Sequence, residues 1–188
     1  MSELTVERLK ELLEYDPKTG IFVWKKRYKR KEDFSSVKAW ANYVKFRNNC
    51  EGKIAGSYCE KGYLRIRIND VLYKGHTLAW FYIYGEWIDL IDHADCDPSN
   101  NRITNLRKAT PAQNSQNMKL NSRNKSGYKG VSWNSRDKRW VAHGSCNGVR
   151  KNIGSFLTPE EASEAYNNWS KERHGEFFNN GQQERVCI

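Results

Sequence analysis

No run of apolar residues in this chain approaches the ~18 needed to cross a bilayer, so no membrane partner is expected. The chain opens on Ser2, Glu3 and a charged helical pattern, which is not the basic-then-apolar signature of a secretory leader. Cysteine is sparse: Cys50, Cys59, Cys96, Cys146 and Cys187 are odd in number and include no C-x-x-C. That argues against a disulfide framework or a four-thiolate zinc site and fits reduced thiols in a cytoplasm. Nothing in the spacing of Cys50 and Cys59 requires that they join a histidine in a metal site. Acidic residues are in deficit, 22 against 32 Lys and Arg, for a formal net charge of +10.

The positive excess is clustered. Ten Lys/Arg lie between Lys18 and Arg47 against Glu32 and Asp33, and eight lie between Arg123 and Lys151 against Asp137 alone. Clustered positive charge is what a phosphate backbone selects, because each neutralised phosphate releases condensed counterions. Plain solubility is the duller explanation of a basic chain. Seven Trp and ten Tyr exclude a disordered basic tail, since disorder depletes aromatics. The protein is therefore expected to be folded and basic, in one ordinary domain or two small ones at 188 residues.

Local patterns organise it. Residues 4–14 read as a short helix with Thr5 as N-cap and Val6, Leu9 and Leu13 on one face. Asp16 to Gly20 is a turn into the strand-like Ile21-Phe22-Val23-Trp24, and residues 25–52 lack a clean period and read as a basic loop with some short structure. Gly62 to Tyr73 predicts a hairpin turning at Asn69-Asp70, and His76 to Tyr84 an apolar helix. An Asp-His pair at 92–93 ends a short strand, a polar loop follows, and residues 105–109 return as a second strand. A helix over 110–118 then carries Thr110 as N-cap and Pro111 at its first position. Asn121 to Gly127 has linker composition. Beyond it, strands at 128–133, 139–145 and 149–156, with a hairpin signal at Asn147-Gly148, precede a helix. That helix opens on a capping box, Thr158-Pro159-Glu160-Glu161, and has Ala162, Ala165, Tyr166 and Trp169 on one face.

Chemistry concentrates between Ile91 and Asn114. Phosphodiester hydrolysis needs a hard cation to stabilise the developing charge and a base to activate water. Asp92 and Asn114 offer two hard oxygen donors suited to a Mg²⁺-like ion that keeps waters and takes phosphate oxygens. His93, beside Asp92 but on the opposite side of the strand, is a candidate base. An Asp-His dipeptide alone is common, and a polar loop is usually only a loop. Asp95 and Asp97 are candidate extra ligands, but as loop-stabilising Asx turns they need no metal.

Taken together, His76-Thr77-Leu78-Ala79-Trp80, Ile91-Asp92-His93, Asn100-Asn101-Arg102-Ile103-x-Asn105-Leu106-Arg107 and Ala109-Thr110-x-x-x-Asn114 resemble the HNH endonucleases of the ββα-metal superfamily, particularly the phage-type homing enzymes. The resemblance implies His93 as general base, Asp92 and Asn114 as ligands of one Mg²⁺ or Mn²⁺, and Asn105 as the residue that shapes the loop and orients His93. Asn114 stands where many relatives carry His, and Cys96 where they usually carry Gly. His76 is either a helix-start histidine satisfied by hydrogen bonds or a phosphate contact near the cut, and Arg107 is a further DNA contact. The reaction implied is hydrolysis of double-stranded DNA to a 5′-phosphate and a 3′-hydroxyl, by a monomer in the host cytoplasm if the chain is phage-encoded. The rival readings are a DNA-binding regulator with a dead centre and an enzyme directed at RNA.

Tyr128-Lys129-Gly130-Val131, Trp140-Val141-Ala142, Ile153-Gly154-Ser155-Phe156 and Thr158 to Tyr166 resemble the plant ethylene-response-factor (APETALA-type) DNA-binding domain. By position, the contacts it implies are Lys129, Trp133, Arg136, Lys138, Trp140, Arg150 and Lys151. Trp140 is equally explained as sheet core. An Arg expected after Trp140-Val141-Ala142 is replaced by Ser145, so no sequence preference carries over. The fold class expected is α+β: a ββα-metal nuclease core plus a small three-stranded antiparallel sheet packed on one helix. The divisions expected are a basic N-terminal region at 1–60, the core at 61–120, the linker at 121–127 and the sheet module at 128–180.

Overall fold

The computed structural model describes residues 4–26, 29–146 and 148–181, in two compact units, 1–108 and 109–188. Arg27 of the basic run, Asn147 of the hairpin signal and Cys187 lie outside the described residues. Helices and small antiparallel sheets make an α+β fold, as expected.

The first unit opens with α1 (Val6–Leu12), capped by the Thr5 hydroxyl on the Arg8 amide. The helix stops sooner than its apolar spacing suggests. Leu13 and Tyr15 turn inward while Glu14 and Asp16 point out, a period of two that makes β1 (Leu13–Asp16). β1 pairs antiparallel with β2 (Ile21–Trp24). The expected loop at 25–52 is corrected by α2 (Val37–Cys50), N-capped by Ser36. Its apolar side is an aromatic cluster in which Trp40 and Tyr43 meet Phe34, while Phe46 meets Trp24. Only Tyr43 of this helix is buried, so interspersed Lys, Arg and Asn blur the period in the sequence.

A second sheet of this unit has the order β3 (Ser57–Tyr58), β4 (Leu64–Ile68), β5 (Val71–Lys74). The predicted hairpin turns at Asn69 and Asp70 with φ of 48° and 64°, the doubly left-handed geometry of a tight hairpin. α3 (Gly75–Tyr84) follows and stops at Gly85, whose φ is 72°. It packs Leu78 and Ala79 into a core shared with Leu9, Leu13, Phe22 and Ile66. β6 (Ile91–His93) and β7 (Leu106–Lys108) form a two-stranded ribbon whose Ile91 and Leu106 join that core. Asn105, expected in the second strand, instead ends a 3₁₀ turn over Ile103–Asn105. Its side chain is spent on the loop rather than the ladder.

The second unit begins with α4 (Pro111–Asn117), whose Thr110 and Gln113 form a reciprocal capping box. The three predicted strands are present as β8 (Val131–Asn134), β9 (Arg139–Cys146) and β10 (Val149–Phe156), in the order β10-β9-β8. The capping box at Thr158 starts α5 (Pro159–His174). Ala162 and Tyr166 cover Val131 and Ala142, and a Cβ at Gly144 would collide with the Trp169 indole. Residues of the expected linker bond to the sheet module, the Ser126 hydroxyl donating to the Tyr128 and Val131 carbonyls. α4 is tied into the unit at both ends of the sheet module. The Lys129 ammonium donates to the Gln116 and Met118 carbonyls, and the buried Asn179 amide to the Asn117 carbonyl at 2.8 Å.

Candidate active site

β6 carries two consecutive buried polar residues, Asp92 and His93, each 5% exposed. A three-residue strand can bury both only if each meets a compensating group. For Asp92 that group is Arg107, its cross-strand partner on β7. Arg107 Nε donates to Asp92 Oδ2 at 2.9 Å, and the guanidinium closes an ion pair with the same oxygen through Nη2 at 2.8 Å. The residue expected to touch DNA is thus engaged with the expected metal ligand.

His93 lies in a ring cluster. Its imidazole meets that of His76 edge-on, with centroids 5.0 Å apart, and Tyr63 flanks both at 6.1 and 5.5 Å. Burial pushes the His93 pKa below the usual range, partly offset by the Asn101 side chain and the charges of Asp95, Asp92 and Asp97. Asn101 is itself 1% exposed, its carbonyl accepting from the Tyr15 hydroxyl at 2.7 Å. His93 is therefore neutral at ordinary pH, the state in which an imidazole can take a proton.

The loop between the strands is a lattice of side-chain bonds around Asn105. Its Oδ1 accepts from the Asp95 amide at 3.1 Å, and its Nδ2 donates to Asp95 Oδ1 and the Asn100 carbonyl, each at 2.9 Å. Asp95 and Asp97 make the Asx turns, accepting from the amides of Asp97 and Ser99 at 2.8 and 2.9 Å. Cys96 sits in that loop at φ +57°. A side chain in the left-handed region costs about 1–2 kcal/mol, part of which glycine returns to unfolded-chain entropy. Cys96→Gly should accordingly stabilise the fold by about 1 kcal/mol, seen as a higher urea midpoint. An unchanged or lower midpoint would show that the thiol's own contacts outweigh the strain.

His76 is 6% exposed at the start of α3, and its pKa is pushed down to about 3 by burial first, then by His93 and Lys74. Unfolded, it titrates near 6.5, so between these values the unfolded chain holds the extra proton. Stability from this group is intact above pH 6.5 and is lost as pH falls through the window. At pH 5 the loss is about 2 kcal/mol, 1.4 per unit over 1.5 units. Urea midpoints at pH 7 and pH 5 should differ accordingly, and His76→Gln should flatten the difference. An equal pH dependence in that variant would assign it to other groups.

Asn114 lies midway along α4 in the second unit, half-buried. Two oxygen donors of this type, one carboxylate and one amide, fit a hard ion that fills its shell from water and phosphate. Among the described residues no group of three His, Cys, Asp or Glu forms a ready-made cage.

In the C-terminal sheet, register divides the expected contacts between two faces. Val131 pairs with Ala142 on the helix-covered face, so Trp133 and Trp140, paired in the same register, share it; their rings meet at 5.2 Å. Trp140 packs partly on the core while Trp133 is half exposed, and Lys151 falls opposite Gly144 on the same side. The outer face carries Ser132, Asn134, Arg139, Val141, His143, Ser145 and Arg150. Arg150 is directly opposite Ser145, so the neighbouring strand supplies a guanidinium on the face where Ser145 lacks one. Ser132, Asn134, Val141, His143 and Arg150 contribute to the lining of a shallow hollow of about 620 Å³ there. Arg136 and Lys138 sit in the β8–β9 turn, Lys138 at φ +49°. Sequence reasoning missed Tyr63 and Arg139. Only Arg139 had a legible signal, the odd-even alternation along β9.

A paired Asp-His strand, an Asn-braced loop and a return strand define a nuclease of the HNH class. The HNH endonuclease family matches residues 73–116. Protein 3.8 of Escherichia phage T7 is 38% identical over 87 residues, 46% of this chain and 71% of that protein. An uncharacterized HNH endonuclease of Acanthamoeba polyphaga mimivirus is 40% identical over 87 residues, and the chain spans only 44% of its length. No solved structure matches. The chain belongs to the HNH endonuclease family.

Proposed function

We propose that the protein is a metal-dependent endonuclease of the homing type that hydrolyses double-stranded DNA, with His93 as general base. The observation that carries the reading is the buried, neutral His93 beside Asp92, on a ribbon whose loop is fixed by three Asn105 hydrogen bonds. One divalent ion, Mg²⁺ or Mn²⁺, held by Asp92 and Asn114, would supply charge stabilisation at the phosphorus and the leaving oxygen. The ligand role of Asn114 rests on its motif position. Asn105 acts as a positioning residue that fixes the backbone after His93. Low dielectric around His93 keeps its lone pair available for the attacking water's proton.

The sheet of the second unit is the sequence-reading surface in this proposal. Arg139 and Arg150 on its outer face, with Arg136 and Lys138 at its turn, are the leading contacts, because that face has no packing reason to be basic. Lys129 is a weaker candidate, its ammonium being engaged with α4. A reading as a regulator with a dead centre is disfavoured, since Asp92, His93, Asn105 and Asn114 are all present. No helix among the described residues is long and apolar enough to cross a membrane.

Supercoiled plasmid incubated with Mg²⁺, Mn²⁺ or chelator, beside a matched RNA, tests the proposal. A monomer with one centre should convert the plasmid to the nicked form only with metal. Equal cleavage in chelator, or cleavage of RNA alone, would sink it.

A further inference from the structure

The β3–β5 sheet has an outward face whose composition the nuclease centre does not explain. Leu64, Ile66 and Ile68 point into the core, which sends Arg65 and Arg67 to the other side of β4. Register sets Ser57 and Lys74 on either side of Arg65, and Leu72 beside Arg67. Between this face and α2 runs a groove of about 920 Å³, lined by Trp24, Phe46, Tyr58, Arg65, Arg67 and Leu72. Asp70 is the single acid among its lining residues. Among the described residues neither arginine is ion-paired with a carboxylate, and Arg67 reaches only the Asp70 backbone carbonyl, at 3.2 Å. Tyr58, on the edge strand, pairs with Leu64 rather than with an arginine, yet it lines the groove and is 61% exposed, far more than core packing would leave it.

Cations beside an exposed ring suit a ligand that is anionic and also offers flat apolar faces. Duplex DNA keeps its base faces stacked inside, whereas an unpaired strand presents phosphates and base faces together. A chain of neighbours outside the groove's lining links Arg65 to the candidate base within the same unit. Lys74, in register with Arg65, holds its ammonium 5.9 Å over the Tyr63 ring, which flanks His93. We infer that this groove binds an unpaired stretch of nucleic acid, Arg65 and Arg67 taking phosphates and Tyr58 stacking on a base. The inference rests on the nucleic-acid reading above, but not on cutting.

The test is binding by the full-length protein in chelator, so that a failed nuclease reading and a failed groove reading are told apart. Labelled single-stranded oligonucleotide, its duplex and polyglutamate of similar charge are titrated over a range of salt. Arg65→Gln/Arg67→Gln, both on an exposed strand face, should weaken single-strand binding at least tenfold. It should also reduce the slope of log K against log salt by about 1.4, two contacts at about 0.7 each. Tyr58→Ala should weaken single-strand binding by about 5- to 100-fold, with Tyr58→Phe retaining it, and neither should alter polyglutamate binding. Unchanged single-strand affinity in both the arginine and the alanine variants would overturn the proposal. So would an arginine variant that weakens all three ligands alike while Tyr58→Ala weakens none, since that describes a generic anion surface. Losses confined to the duplex would overturn it too, by making the face a duplex track.

Discussion

His93→Ala should reduce metal-dependent cleavage by about 10²–10⁴-fold, the usual contribution of a positioned general base, while metal-free DNA affinity stays within about twofold. The split follows from where His93 sits. It is buried between β6 and the rings of His76 and Tyr63, contributes no net charge at neutral pH and adds little to a phosphate-dominated affinity. Cleavage and filter binding on one preparation read both quantities. Asn105→Ala is the companion variant: it removes three loop hydrogen bonds without touching the ring, so kcat should drop with folding otherwise retained. Wild-type turnover by His93→Ala would take the histidine out of the mechanism. A loss of binding as large as the loss of cleavage would make its role structural.

Much of this arrangement was legible in the sequence because it is local. Caps at Thr5, Thr110 and Thr158, the Asn69-Asp70 turn and the alternation along β4 each follow from a few adjacent residues. What was not legible depends on partners remote in the chain. α2 is covered on one side by aromatics that include Phe34 and Trp24, so its period is diluted by exposed charge. Leu13 fits the helix stripe as well as the strand, and only pairing with Trp24 decides between them. At the site, the Asp-His pair and Asn105 are visible as a motif, but the Tyr63 ring is supplied by folding alone. The same is true of Arg107, whose charge suggests phosphate until its register opposite Asp92 is known. Truncation near Ser122, an obvious way to separate cutting from reading, is likewise ill-suited. It would strip α4, with Asn114, of its bonds to Lys129 and Asn179. Arg139→Ala/Arg150→Ala is the cleaner probe of the sheet.

The Asp92–Arg107 pair makes the strongest demand on the metal proposal. The Arg107 guanidinium pairs with Oδ2 of a buried carboxylate, so a cation approaching Asp92 meets a positive charge already in place. Arg107→Ala should act in two opposed directions. In chelator it strips the buried carboxylate of its guanidinium, at a cost of about 3–5 kcal/mol. With Mg²⁺ present the ion replaces that charge and meets no competitor, so stability returns as RT ln(1 + [L]/Kd). Thermal melts across a Mg²⁺ series should therefore give the largest metal-induced rise in Tm for Arg107→Ala, a smaller one for wild type and none for Asp92→Asn. Asn114→Ala should fall between wild type and Asp92→Asn, because an amide oxygen offers the ion a dipole where the carboxylate offers a charge. If Arg107→Ala melts equally low in chelator and in saturating Mg²⁺, Asp92 does not hold the ion and the pair is a structural salt bridge of the ribbon. If Asn114→Ala loses more of the metal response than Asp92→Asn, the ranking of the two ligands is reversed. The first result would move the cation away from β6, leaving His93 without the adjacent charge that the proposed hydrolysis requires.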